Sequence, residues 1–124
     1  MKKSTLIWFL VAALLIIGLV WLIRTPEKSG QLDAFASCLS NSGAVFYGAF
    51  WCQHCQGQKT EFGRSAKFMP YVECSTSDGR GQLSVCTEAG INAYPTWTFA
   101  DGTRELGRLP LSRLSEITGC ELPE

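Results

Sequence analysis

Eighteen consecutive residues without a charge, 6–23, decide what the rest of this chain can be. The run opens on Leu6 and closes on Ile23, with Lys2 and Lys3 before it and Arg24 after it. At about 1.5 Å per residue, a helix of that length just crosses the roughly 30 Å of a bilayer's hydrocarbon. The run is apolar on every side, whereas a helix lying on a soluble core keeps a polar face. A secretory leader has a shorter apolar stretch, about 7–15 residues, followed by a small-x-small cleavage site. Here the run ends Val20-Trp21-Leu22-Ile23-Arg24 without such a site. Residues 1–24 are therefore expected to be an uncleaved single-pass anchor that meets membrane lipid through residues 6–23. Trp21 suits the interfacial aromatic belt. Lys2 and Lys3 predict a cytoplasmic N-terminus and an extracytoplasmic remainder, periplasmic or lumenal, with Arg24 and Lys28 opposing that bias.

The anchor leaves a short polar linker, residues 25–30, and residues 31–124, about the size of one small domain with a single core. Eleven basic and eleven acidic residues balance without a long run of either sign. Nucleic acid is thus not an expected partner, because it needs a clustered cationic face to displace phosphate counterions. Leu32, Phe35, Ala36 and Leu39 recur at helical spacing until Asn41-Ser42-Gly43. The apolar run 44–50 reads as a buried strand, and a helix is expected from Cys52 to about Phe68, ended before Pro70. Tyr71-Val72-Glu73-Cys74 reads as a second strand, residues 82–89 as a helix stopped by Gly90, and Thr96-Trp97-Thr98-Phe99 as a third strand. Asp101-Gly102 signals a hairpin to a strand over 104–106, and Leu111, Leu114 and Ile117 share one face of a closing helix. This order predicts an α/β thioredoxin fold, a mixed central sheet flanked by helices, preceded by one transmembrane helix.

Within that order, Trp51-Cys52-Gln53-His54-Cys55 falls at a strand-to-helix junction. Unpaired N–H groups and the dipole at a helix N-terminus favour an anion, so Cys52 is expected to be the nucleophilic thiolate of disulfide exchange. Cys55, one turn inward, is expected to resolve the mixed disulfide that Cys52 forms. His54 is the chain's single histidine; close to Cys52 it would favour the thiolate and make the disulfide more oxidising, while the plainer alternative is a solvated helix residue. Trp51 would shield one side of the pair. No cofactor is expected beyond the dithiol, and no metal. A structural zinc site asks for two such pairs, whereas cysteines 38, 74, 86 and 120 are scattered singly.

Pro95 opens the third strand, and Tyr94 stands 39 residues after Cys55. In a thioredoxin fold a proline there lies opposite the dithiol in the cis form and leaves the preceding backbone free for an extended substrate. An ordinary trans proline at the start of a strand is the alternative.

The stretch Tyr47-Gly48-Ala49-Phe50-Trp51-Cys52-Gln53-His54-Cys55-Gln56-Gly57-Gln58-Lys59, then Phe62-Gly63, Pro70-Tyr71-Val72-Glu73-Cys74 and Gly90-Ile91-Asn92-Ala93-Tyr94-Pro95-Thr96-Trp97, resembles a known family. It is similar to the thioredoxin-like domain fused to bacterial and plant homologues of vitamin K epoxide reductase, from about Phe35 to Cys120. The resemblance implies that Cys52 and Cys55 take electrons from cysteine-containing proteins folding outside the cytosol and pass them to a quinone-linked membrane enzyme. The multi-helix quinone-reducing part is not in this sequence, so a separate membrane protein of that type is the expected redox partner. Two departures stand out: Gln53-His54 replaces a Pro-His dipeptide, and Phe46 occupies the position nearest the buried acid of ordinary thioredoxins.

The resemblance also supports a bridge between Cys74 and Cys86, which would close a loop of about a dozen residues and contribute roughly 3 kcal/mol in the chain-entropy model. Cys38 and Cys120 could join the two ends of the domain, with a free buried Cys38 thiol as the alternative. Either pair could instead relay electrons between Cys52–Cys55 and the membrane partner. Beside the oxidase reading stand a membrane-anchored reductase or isomerase, and a copper- or haem-assembly factor binding metal through Cys52 and Cys55. The latter asks for added Met or His ligands, and only His54 lies near.

Overall fold

A computed structural model describes residues 2–25 and 29–124 of the chain. Half of the expected linker 25–30, residues 26–28 and with them Lys28, lies outside the described residues. Helix α1, Lys3–Arg24, has no buried residue, and its most apolar 18-residue window has a mean hydropathy of 3.0. By length and composition it is able to cross a membrane.

The remaining elements are α2 (Asp33–Asn41), β1 (Val45–Gly48), α3 (Gln53–Phe62), β2 (Tyr71–Glu73), α4 (Ser84–Glu88), β3 (Thr96–Thr98), β4 (Arg104–Leu106) and α5 (Leu111–Thr118). The sheet order is β2-β1-β3-β4. β1 runs parallel to β2, with Phe46 opposite Tyr71, and antiparallel to β3, with Tyr47 opposite Thr96; β3 and β4 form the hairpin. Crossing from β1 to the parallel β2 requires the intervening α3, because parallel neighbours cannot be joined by a tight turn.

Strand alternation sorts the side chains into two layers. Phe46 joins Phe35, Leu39, Phe62, Trp97 and Leu114 in the main core, so α2, α3 and α5 cover that face. Tyr47 and Val72 instead pack on a smaller cluster of Cys74, Cys86 and Ile91, which α4 closes. The Phe46 and Trp97 rings lie 4.6 Å apart between centroids, and Phe35 stacks on Phe62. The antiparallel edge of the sheet is finished by Arg104 of β4, which donates to the carbonyls of Ala89 and Gly90 at the end of α4.

Several elements are shorter than the sequence reading has them: the strand expected over 44–50 is β1, Val45–Gly48, and two helices change more. The helix expected to reach about Phe68 stops as an α-helix at Phe62 and continues as a 3-10 segment, Gly63–Phe68. Gly63 has φ +54°, ψ −127°, a conformation reserved for glycine, and it breaks the i to i−4 ladder. The helix expected over 82–89 begins only at Ser84, because Gln82 is committed to an isolated bridge with Ser75.

Candidate active site

The turn between β1 and α3 brings Cys52 to the N-cap of α3. The Cys52 N–H donates to the Ala49 carbonyl, and the Cys52 sulfur accepts the Cys55 N–H at 3.3 Å. Both cysteines are free thiols but are not equally covered: Cys52 keeps 7% exposure and Cys55 none. Burial, followed by the hydrogen bond with Cys52, pushes the Cys55 thiol up to about 12, against the opposing pull of an Ala49 backbone hydrogen bond and the Lys59 charge. Cys55 therefore stays protonated at neutral pH.

Gly48 makes this packing possible. A Cβ at that position would sit 3.0 Å from the Cys55 sulfur and 3.0 Å from Tyr71 Cε2. Behind the pair, Tyr71 donates its hydroxyl to Glu73 Oε2 at 2.7 Å, while Glu73 Oε1 accepts the N–H groups of Phe50 and Ser75. Burial alone would raise the Glu73 carboxyl, but these three donors and Lys59 outweigh it and hold the group below its ordinary 4.5. Burial first, and then Glu73, pushes the Tyr71 phenol well above its usual range. Lys59 Nζ lies 3.4 Å from the centroid of the Tyr71 ring. Phe46, nearest the expected position of a buried acid, is fully enclosed in the core, and the carboxylate near the dithiol comes from Glu73 on the neighbouring strand.

Trp51 stays about half exposed, donates Nε1–H to the Ser75 hydroxyl at 3.0 Å and meets Tyr94 edge-on at 5.8 Å. Tyr94 is held in turn by Gln82, whose amide donates to the phenol oxygen at 2.7 Å and to the Ile91 carbonyl. The Tyr94–Pro95 peptide is cis. Because Tyr47 pairs with Thr96, Pro95 lies level with Gly48, beside the turn that carries the dithiol. His54 is exposed, and among the described residues it hydrogen-bonds neither sulfur. The other four cysteines are joined as Cys74–Cys86, whose loop carries Ser75 and Gln82, and as Cys38–Cys120 between α2 and the end of α5. Among the described residues no group of three or more His, Cys, Asp or Glu is gathered as metal ligands would be.

The sequence reading passed over Gly48, Gln58, Lys59, Tyr71 and Glu73 as site residues. Some signal was there: Lys59 follows Cys55 by one helical turn, and Tyr71 and Glu73 share one face of a strand. Nothing local marked Gln58. It is fully buried, donates to the Leu109 carbonyl, accepts from the Leu109 N–H and the Trp97 indole, and so ties α3 to the segment before α5.

A mixed sheet in this order, with a dithiol at the head of the helix that leaves its central parallel strand, is the thioredoxin fold, and the chain is a dithiol-bearing domain of that class behind an apolar helix. Over 104 residues it is 42% identical to the thiol-disulfide oxidoreductase LTO1 of Arabidopsis thaliana, a match spanning 81% of this chain but only 27% of that protein. No family model matches. Among solved structures, oxidised mitochondrial thioredoxin 3 from Saccharomyces cerevisiae is similar at 18% identity and a TM-score of 0.38, over 71% of this chain and 88% of that one.

Proposed function

We propose that this chain is a thiol–disulfide oxidoreductase that exchanges disulfides with cysteine-containing proteins through Cys52 and Cys55. The observation that carries this reading is the unequal covering of two free thiols: Cys52 keeps a little exposure at the head of α3 and Cys55 is enclosed one turn behind it. Cys52 is the sulfur a partner meets. Cys55 is the sulfur that closes the reaction inside the domain.

In the dithiol form Cys52 attacks a partner's disulfide, bonds to one sulfur and releases the other as a thiolate. Cys55 then attacks Cys52, the Cys52–Cys55 bond forms, and the partner's second sulfur leaves with the electron pair. Two electrons and two protons pass to the partner. Running the sequence backward delivers the disulfide to a substrate. Trp51, Tyr94 and the cis Pro95 line the approach, with the backbone before Pro95 offered to an extended substrate.

Anchored through α1, with residues 31–124 outside the cytosol, the protein works in the oxidising direction and is itself reoxidised by a quinone-linked membrane enzyme. The two disulfides elsewhere in the domain support an oxidising compartment. The test is mixed-disulfide capture in cells. Cys55→Ala should accumulate adducts through Cys52, and Cys52→Ala should not; the opposite pattern would reverse the two roles. Thiol trapping should find the Cys52–Cys55 pair mostly oxidised, with a potential well above roughly −270 mV, the thioredoxin value. A reduced steady state at or below that potential would replace the oxidase with a reductase.

A further inference from the structure

The reaction above leaves one step without an evident source of assistance. Cys55 must become a thiolate inside the domain, at a sulfur with no exposure. Charge in such a place needs a compensating charge, since burial disfavours every ionised form.

The groups facing Cys55 come from β1, the turn after it, α3 and β2. β1 meets it with Gly48, and the turn after β1 with Ala49, neither of which carries a charge. Its own helix presents Cys52 and, one turn on, Lys59. β2 presents Tyr71, with Glu73 behind it. Glu73 is already engaged by Tyr71, Phe50 and Ser75, and Tyr71 remains a neutral phenol. Lys59 is different: it is half-buried, makes no ion pair within 4.0 Å among the described residues although its charge reaches Glu73, and rests on the ring of Tyr71 at 3.4 Å. The edge of that ring and the Cys55 sulfur both border the same point above Gly48, each 3.0 Å from where a Cβ would lie. Its hydroxyl donates to a carboxylate, which enriches the π face under the ammonium.

We propose that Lys59, seated on Tyr71, is the positioning residue that lets Cys55 attack, by supplying the positive charge that a thiolate needs inside this domain. The inference rests on the reading of Cys55 as the resolving thiol. In the mixed disulfide, Cys52 is bonded to the partner's sulfur and no longer shares its hydrogen bond with Cys55 as a free thiol. Cys55 gives its proton to solvent, its thiolate forms the bond to Cys52, and the partner's sulfur leaves with the electron pair and takes a proton from solvent. Lys59 stays protonated throughout. Tyr71 and Glu73 fix where its charge lies.

The experiment is stopped-flow reaction of the full reduced chain, in detergent, with 5,5′-dithiobis(2-nitrobenzoate). The first thionitrobenzoate released reports attack by Cys52; the second reports closure by Cys55. Lys59→Gln should leave the first phase unchanged, slow the second about tenfold near pH 7 and move its pH profile up by about one unit. Lys59→Arg, which keeps the charge, should restore the second phase to within about twofold of the wild type and return the profile toward it. A merely structural lysine would not separate the two phases or shift the profile. An unchanged second phase in Lys59→Gln overturns the proposal. A wild-type chain that releases only one thionitrobenzoate overturns the Cys55 reading itself, and the role of Lys59 with it.

Discussion

At Gly48 a single methyl group would fall 3.0 Å from a sulfur on one side and a ring carbon on the other. Neither neighbour can yield easily: Cys55 is fully enclosed, and Tyr71 is tied to Glu73. Gly48→Ala is therefore expected to cost about 1–3 kcal/mol, the usual range for overpacking a filled core, read as a lower urea midpoint at unchanged slope. A midpoint equal to the wild type would show that the contact relaxes freely. The same residues show how far a site can be read from sequence. Cys52 and Cys55 were legible because their chemistry lies in a spacing of three along one chain segment. Lys59, Tyr71 and Glu73 were not, because their roles arise only when α3 packs on β2 and the two elements meet behind the dithiol. His54 marks the reverse case: its place between the cysteines suggested an approach to the sulfur, but the first turn of α3 turns it outward.

Among the elements, the loop between β2 and α4 has the most to do with the site. Cys74 and Cys86 close it, and between them Ser75 holds the Trp51 indole while Gln82 holds the Tyr94 hydroxyl. Replacing both cysteines by alanine is expected to cost about 3 kcal/mol by releasing a loop with a sequence separation of 12. Amide exchange should quicken first over residues 75–83, ahead of β1 and β3; uniform quickening across the sheet would mean that the bridge serves the whole core rather than this loop. Elements with a strong pattern were legible, as in Leu111–Thr118, whose apolar positions recur at helical spacing, and Arg104–Leu106, set by the Asp101-Gly102 turn. The late start of α4 was not, because the competing Ser75–Gln82 bridge depends on a residue that sequence distance gives no reason to pair.

For the molecule as a whole, the apolar helix and the dithiol domain make separable demands. The full chain is expected to stay with membranes through alkaline carbonate extraction, whereas a chain without residues 2–24 should be released while keeping both phases of disulfide exchange. With the membrane intact, a membrane-impermeant maleimide should label Cys52 from the non-cytoplasmic side after mild reduction. Labelling only after lysis would reverse the orientation. The Cys38–Cys120 bridge, at a sequence separation of 82, bears on how such a tethered body carries load. Tension entering along the anchor reaches α2 at Asp33 and, five residues later, meets a covalent shortcut to Cys120. A pull between the membrane and anything gripping the tail beyond Cys120 passes through the two sulfurs and bypasses residues 39–119. The sheet and the dithiol sit inside that slack loop, so with α1 held in a bilayer as proposed, a tug from the surroundings would lengthen the chain at its margins while the two free sulfurs kept their places.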